Sequence, residues 1–148
     1  MRRPEDESFS EQVYASTRAT EMAMVPWSVE QKAAFCRMQF VAQRTDYERN
    51  YPDAAYDIIE RSGVAIGRLY VDRRESAIHI LDITLLPEHR GAGLGTRLLR
   101  ELQDEARAAG KALSIHVEKF NPALRLYERM GFRAKEDKNV YLLMEWRA

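Results

Sequence analysis

The sequence predicts one domain of the mixed α/β (α+β) class, in which helices flank both faces of a central sheet. Its 148 residues are enough for one sizeable core without disulfides or metal staples. Apolar residues recur at helical spacing in some segments and form strand-like runs in others, and turn residues separate these segments. No internal repeat, low-complexity tract or flexible linker divides the chain, so we predict a single domain over 1–148.

Two helices are predicted within a helical segment at residues 1–52. The first runs from about Ser8 to Val25 and ends before Pro26, because the residue preceding a proline avoids the helical conformation. The second begins at Ser28, which has the spacing of a capping box with Gln31, and extends to about Tyr47. The inward positions are predicted to be Phe9, Val13, Tyr14 and Met22 or Met24, then Phe35, Met38, Val41 and Ala42.

Residues 54–148 predict the sheet-rich core. Strands at Asp57–Arg61 and Val64–Asp72 form a hairpin that turns at Ser62-Gly63, and a third strand covers Ser76–Leu86. A helix follows from Leu94, with an apolar face and Gly110 at its C-terminal cap.

The end of the chain continues the alternation. A strand is predicted at Ala112–Glu118, followed by a short helix with Asn121 as its N-cap and Gly131 just past its end. Phe132–Lys135 and Val140–Trp146 are predicted to be the closing strands.

Composition limits the partners and the compartment. Because 23 basic and 23 acidic residues give zero net charge, no overall field indicates nucleic acid or an anionic membrane. The lone Cys36 cannot form an internal disulfide, and no Cys/His cluster has zinc-ligand spacing, so we expect no metal and a reducing compartment. Neither a signal-peptide h-region nor an apolar run of membrane-spanning length is present, which predicts a cytoplasmic protein.

The segment from Leu85 to Thr96 is the most informative part of the chain. It passes from an apolar strand through Gly91, Gly93 and Gly95 into an amphipathic helix. The first amides of a helix lack intrahelical partners and carry partial positive charge, and glycines let a ligand approach the backbone closely. Arg90 adds a fixed charge, so this segment predicts a pyrophosphate site.

Two motifs carry a family resemblance. The spacing R-x-x-G-x-G from Arg90 to Gly95, followed by N-P-A-L-R-L-Y-E-R-M-G-F from Asn121 to Phe132, resembles the GNAT superfamily of acyl-CoA N-acyltransferases over roughly residues 54–148. The resemblance implies a mostly antiparallel central sheet with one splayed parallel strand pair. The family usually opens with a strand, which only Met1–Pro4 could supply here.

The resemblance also implies where acetyl-CoA, the co-substrate, binds. Its pantetheine arm would add like an extra strand to Ile83–Leu86, the first member of a splayed pair with Ile115–Glu118. The backbone N–H of Leu85 would polarise the thioester carbonyl, and Tyr127 would protonate the departing thiolate. The cofactor-binding residues implied in this way are Leu85, Arg90, Gly91, Ala92, Gly93, Leu94, Gly95, Thr96 and Asn121.

Four residues are candidates for the base that deprotonates the amine. A lysine-like amine, with a pKa of about 10.4, is mostly protonated at pH 7 and needs help to become a nucleophile. His116 occupies the matching place on the second splayed strand, while His79, Asp82 and Glu118 are competing candidates. Each of these four side chains is alternatively a structural group satisfied by a neighbouring hydrogen bond.

We therefore expect an N-acetyltransferase that moves an acetyl group to a primary amine, by direct attack in a ternary complex. The acceptor is a small molecule or peptide, and an exposed C-terminal strand edge is compatible with a homodimer. One alternative is a non-catalytic acyl-CoA sensor or interaction module. A Rossmann-type dinucleotide enzyme is a distant third, because Thr96 replaces the third glycine and Pro87–Arg90 intervene before the first.

Overall fold

The computed structural model describes residues 4–91 and 93–148. Five helices and six strands lie in this part of the chain, with a short 3₁₀ turn at Pro87–His89. The helices are α1 (Pro4–Thr17), α2 (Ala19–Ala23), α3 (Val29–Asn50), α4 (Leu94–Ala109) and α5 (Leu124–Arg129). The strands are β1 (Ala55–Arg61), β2 (Val64–Arg73), β3 (Ala77–Leu85), β4 (Ala112–Glu118), β5 (Arg133–Lys138) and β6 (Tyr141–Trp146).

The strands form one mixed sheet in the order β1-β2-β3-β4-β6-β5. Strand β3 pairs in parallel with β4, whereas β4 with β6 and β5 with β6 are antiparallel pairs. The parallel connection from β3 to β4 passes through α4, as a parallel crossover requires. This architecture confirms the predicted fold class, including a parallel strand pair within a mostly antiparallel sheet.

The chain divides into two compact units. The first comprises the residues up to Leu69 together with Thr84–His89. Its core contains Val13 and Tyr14 of α1, Cys36 and Phe40 of α3, and Ile66 of β2. In the same unit the guanidinium of Arg68, only 2% exposed, donates to Ser10 Oγ at 3.0 Å and to Gln43 Oε1 at 2.9 Å.

The second unit comprises Tyr70–Ile83 and Arg90–Ala148. Helix α4 packs on β4, and both contribute buried apolar side chains to its core. These side chains include Leu99, Leu102 and Ala106 from α4, Leu113, Ile115 and Val117 from β4, and Met144 from β6.

The single helix predicted over Ser8–Val25 is wrong in two respects. The helical segment begins earlier, at Pro4, and is interrupted at Arg18 between α1 and α2. The hydroxyls of Ser16 and Thr17 donate to the carbonyls three residues earlier, which offers the backbone an alternative to the helical ladder. Val13 and Tyr14 are buried as predicted, but Met24 is 82% exposed.

Helix α3 begins as predicted, and both hydrogen bonds of the Ser28–Gln31 capping box are present. It runs on to Asn50, three residues beyond the predicted end at Tyr47. The predicted inward stripe is misplaced, because Met38 is 61% exposed while Cys36 and Phe40 are buried. Tertiary packing selects this face: the ring of Phe40 lies 6.1 Å from that of Tyr14 on α1.

The other predicted strands and turns agree closely with the structure. The β1–β2 hairpin turns at Ser62 and Gly63, which both have positive φ, and Gly110 ends α4 in the left-handed conformation. The segment Met1–Pro4, considered for an opening strand, lies outside the described residues except for Pro4, which begins α1.

Candidate active site

In the glycine loop (residues 91–96), two glycines adopt a backbone conformation that residues with a side chain rarely adopt. Gly91 and Gly93 have φ of 78° and 79°, and Gly93 is the N-cap residue of α4. The first amide to bond within the helix is that of Arg97, which donates to the carbonyl of Gly93 at 3.0 Å. The preceding amides, at Leu94, Gly95 and Thr96, therefore belong to the turn whose donors have no acceptor inside the helix.

The surroundings of this loop fit an anion. A Cβ built at Gly91 or Gly93 would meet nothing within 4 Å, so space is open beside both residues. The first turn of α4 carries no acidic side chain that would repel or replace a phosphate. The exposed Arg90 precedes the loop, whereas the predicted contact of Ala92 lies outside the described residues. This end of a sixteen-residue helix is thus suited to a diphosphate.

Strands β3 and β4 pair over only part of their length. Their register runs from Ala77 with Ala112 to Ile80 with Ile115. Both strands continue beyond this register, β3 to Leu85 and β4 to Glu118. His116 is therefore the first residue of β4 past the last registered pair, which agrees with a splayed pair of strands.

Alternation along β4 separates its side chains into two faces. Leu113, Ile115 and Val117 are buried and lie on one face of the strand. Ser114, His116 and Glu118 lie on the opposite side, where His116 and Glu118 are exposed. The two β4 candidates for the base are therefore open to solvent, while the side chain of Asp82 on β3 is half-buried.

Tyr127 lies in a buried position on α5, where its side chain is 5% exposed. Its ring packs edge-on against Phe132, with 5.7 Å between the ring centroids. Burial, and then the negative charge of Asp82, raise the pKa of Tyr127 to about 12. The phenol therefore remains protonated at neutral pH, so it can donate a hydrogen bond.

Asn121 does not have the role predicted for it. Helix α5 begins at Leu124 with Ala123 as its N-cap residue, two residues beyond the predicted cap. The side chain of Asn121 instead accepts a hydrogen bond from the amide of Ala123 at 2.8 Å, which forms an Asx turn before the helix. Its carboxamide is exposed, and its predicted contact with the cofactor stays a prediction.

The two strand histidines lie next to each other in very different surroundings. His79 is 3% exposed, and its Nδ1 lies 2.8 Å from the hydroxyl oxygen of Ser114. Burial, assisted by the positive charge of His116, lowers the pKa of His79 to about 4. The exposed His116 also has a lowered pKa, first from desolvation and then from Lys138 and Arg74. Their ring centroids are 4.9 Å apart.

Among the predicted site residues, the structure places Asp82 where its charge raises the pKa of Tyr127, and it places His79 next to His116. Leu85 is the last residue of β3, and its role as an oxyanion donor stays a prediction. Among the described residues, no three His, Cys, Asp or Glu side chains are grouped to hold a metal ion. Within residues 4–91 and 93–148, no helix is long and apolar enough to cross a membrane.

The sequence analysis did not predict a role for two polar residues of this unit. Ser114 belongs to no motif, although its position two residues before His116 puts it on the same face of the strand. Gln103, 8% exposed on α4, donates through Nε2 to the carbonyl of Met130 at 2.9 Å, which satisfies the C-terminal end of α5. No local signal marks Gln103, because its acceptor belongs to another helix.

Comparison with known proteins identifies the fold. The structure resembles that of PaiA N-acetyltransferase from Thermoplasma acidophilum in complex with coenzyme A, with a TM-score of 0.72 and 18% identity. The likeness covers 97% of this chain and 94% of the other, and at this identity it shows the fold alone.

Two curated relatives match over shorter segments. The cysteine-rich protein 2-binding protein of Mus musculus is 31% identical over 87 residues, which are 58% of this chain but 11% of that protein. Glucosamine 6-phosphate N-acetyltransferase of Trypanosoma brucei brucei is 38% identical over 58 residues, 39% of each chain. The chain thus matches well under half the length of each of these relatives.

A family model settles the assignment. The model of the acetyltransferase (GNAT) family matches residues 17–132, which include both the glycine loop and Tyr127. The mixed sheet with its parallel β3–β4 pair agrees with that match. The chain belongs to the GNAT acetyltransferase family.

Proposed function

We propose that this protein transfers an acetyl group from acetyl-CoA to a primary amine by direct attack in a ternary complex. The observation that carries the proposal is the partial pairing of β3 and β4, whose register ends at Ile80 and Ile115 while both strands continue. Past this register β3 and β4 do not pair with each other, and we infer that an extended ligand arm enters the opening between the two strands. Residues 81–83 of β3 and 116–118 of β4, which border this opening, lie in the same unit as Gly91 and Gly93, where the open space suits the diphosphate of the same ligand.

The binding residues act mainly through their backbone. The amides of Gly91, Ala92, Gly93, Leu94, Gly95 and Thr96 would hold the diphosphate, assisted by the Arg90 guanidinium and the Asn121 carboxamide. When bound, acetyl-CoA supplies an acyl thioester, a carbonyl that an amine attacks with a thiolate as leaving group. The amide of Leu85 would donate a hydrogen bond to that carbonyl and stabilise the charge that develops on its oxygen.

Two side chains would handle the protons. His116 is exposed on the strand face next to the opening, and its lowered pKa keeps its ring neutral and able to accept a proton at pH 7. Asp82, Glu118 and His79 remain competing candidates, of which His79 is sealed from solvent. Tyr127 would donate its phenolic proton toward the sulfur that leaves.

A second candidate, a non-catalytic acyl-CoA sensor, is favoured by one specific observation. A phenol with a pKa of about 12 is a weaker acid than one at the ordinary value of 10.0, so Tyr127 donates a hydrogen bond more readily than it gives up its proton. In a sensor the same tyrosine would contact the cofactor without assisting turnover.

The test measures CoA thiol release from acetyl-CoA with a panel of primary amines that spans polyamines, amino acids, amino sugars and peptide N-termini. Turnover with at least one amine, together with the expected acetylated product by mass spectrometry, supports the enzyme. Binding of acetyl-CoA by calorimetry with no release across the panel supports the sensor. Absence of both binding and release contradicts the proposal and its alternative.

A further inference from the structure

Three polar side chains form a connected cluster where the parallel strand pair opens. The register of β3 and β4 sets His79 opposite Ser114, and His116 follows two residues later on the same face of β4. The ring of His79 contacts both neighbours, with 2.8 Å from its Nδ1 to the Ser114 hydroxyl and 4.9 Å between the two histidine centroids. His79 thus bridges a serine and the candidate base.

Burial differs sharply along this cluster. Ser114 and His79 are 8% and 3% exposed, whereas His116 is exposed. A proton from solvent or from an amine can therefore reach His116 but not His79. The two histidine rings meet edge to face, with an interplanar angle of 72°.

Charged groups from neighbouring elements act on the cluster as well. Asp72 of β2 raises the pKa of His79, and Arg74 in the turn after β2 lowers it. On β5, Glu136 raises the pKa of His116 and Lys138 lowers it. Desolvation is the largest influence on both rings and disfavours the charged form. A positive charge on His116 further disfavours one on His79, so the two rings do not both carry a positive charge near neutral pH.

We propose that Ser114 and His79 are positioning residues for His116: Ser114 fixes the ring of His79, and His79 holds the ring of His116 toward the opening between β3 and β4. The hydrogen bond to Ser114 forms with either neutral tautomer of His79, because a hydroxyl both donates and accepts. This inference rests on the proposed function, in which His116 receives the proton of the amine.

The first test follows the histidine rings directly and needs no acceptor. Only His79, His89 and His116 give ring signals, which long-range ¹H–¹⁵N spectra resolve by tautomer and titration. We expect His79 in one neutral tautomer between pH 5 and 8, while His116 titrates below 6.5. In Ser114→Ala and His79→Gln the midpoint of His116 should rise toward 6.5, because a ring that His79 no longer holds is less desolvated.

Matched variants separate positioning from general loss of packing. Ser76→Ala removes an exposed serine just before β3 and should leave the His116 midpoint unchanged. Ser114→Thr retains the hydroxyl and suits a strand, so it should restore the wild-type titration and guards against failure of the alanine variant to fold. An unchanged His116 midpoint in both Ser114→Ala and His79→Gln would overturn the proposal.

The second test uses turnover with any amine that the protein acetylates. Ser114→Ala and His79→Gln should each lower kcat by about tenfold through misplacement of the base, with the KM for acetyl-CoA within about twofold of wild type. A kcat within about twofold of wild type in both variants overturns the proposal. If no amine is acetylated, the proposed function fails, but the ring titrations still decide whether Ser114 and His79 hold His116.

Discussion

The glycine loop, Gly91 to Thr96, and the histidine cluster of His79, Ser114 and His116 belong to the same unit but are built in different ways. The loop is contiguous in sequence and works through backbone amides and positive φ. The cluster joins side chains that are 35 residues apart, and strand pairing alone brings them together. Binding is therefore encoded locally, whereas the proton chemistry depends on the sheet.

This difference makes the loop the more sensitive to a single backbone change. Gly93→Glu should abolish the stabilisation of the protein by acetyl-CoA, because a side chain at φ 79° is strained and its carboxylate repels phosphate. At a ligand concentration about 100 times Kd the loss amounts to about 2.7 kcal/mol, measured as the shift in Tm on adding acetyl-CoA.

The matched control for this prediction is Gly63→Glu, which introduces the same side chain at a φ of 80° with equally open surroundings, in the β1–β2 turn. It should lower Tm but retain the full ligand-induced shift. An undiminished shift in the Gly93 variant would show that the loop does not bind the diphosphate.

Tyr127 tests the chemistry next to the loop. Tyr127→Phe should lower kcat by about 100-fold while the affinity for acetyl-CoA changes little, because only the proton donor is removed. The phenylalanine keeps the ring contact with Phe132, so folding is preserved. Steady-state kinetics measures the effect, and Tyr141→Phe, at an exposed tyrosine, serves as the control. Equal kcat in wild type and Tyr127→Phe would show that the phenol is not the proton donor.

The pH dependence of turnover tests the exposed member of the histidine cluster. The lowered pKa of His116 means that its ring is neutral at pH 7 and becomes protonated below pH 6.5. At a saturating concentration of the amine, kcat should therefore be highest near neutrality and fall about tenfold per pH unit once pH drops below that pKa. His116→Gln should remove this acidic limb, and its persistence would assign the limb to another group, such as Asp82 or Glu118.

The stability of the protein at low pH tests the burial of His79, the buried histidine of the cluster. His79 has a pKa of about 4 in the folded state and 6.5 when unfolded, so the unfolded chain binds a proton first as pH falls. Its contribution to stability is complete above 6.5 and declines toward pH 4, by about 2 kcal/mol over this range. Urea unfolding at pH 7 and pH 5 should show a smaller decline in His79→Gln than in His116→Gln. The opposite order would contradict the burial of His79.

Local patterns predicted much of the fold correctly. The β1–β2 hairpin, the capping box at Ser28, the cap at Gly110 and the strand Ala112–Glu118 all depend on residues close together in sequence. The predictions failed where competing signals were short or weak. The break at Arg18 follows from back-bonded hydroxyls, and the N-cap assigned to Asn121 is instead an Asx turn.

The histidine candidates show the limit of sequence reasoning at the site. His79 and His116 are both flanked by isoleucine or valine on a predicted strand, so periodicity alone does not distinguish them as candidates for the base. Their environments separate them, because one ring is sealed beside Ser114 and the other is exposed. Burial of a strand side chain depends on what packs against that face, which no local pattern records.

The sequence by itself determined the glycine loop and, apart from the break at Arg18, the order of helices and strands. Turns, caps and positive-φ glycines arise from interactions within a few residues. Only the tertiary structure decided which face of α3 is buried, where the β3–β4 register ends, and which histidine meets solvent. The physical reason is the distance in sequence over which each interaction acts. Backbone conformation depends on neighbouring residues, whereas desolvation and side-chain contacts depend on groups that folding brings from distant parts of the chain.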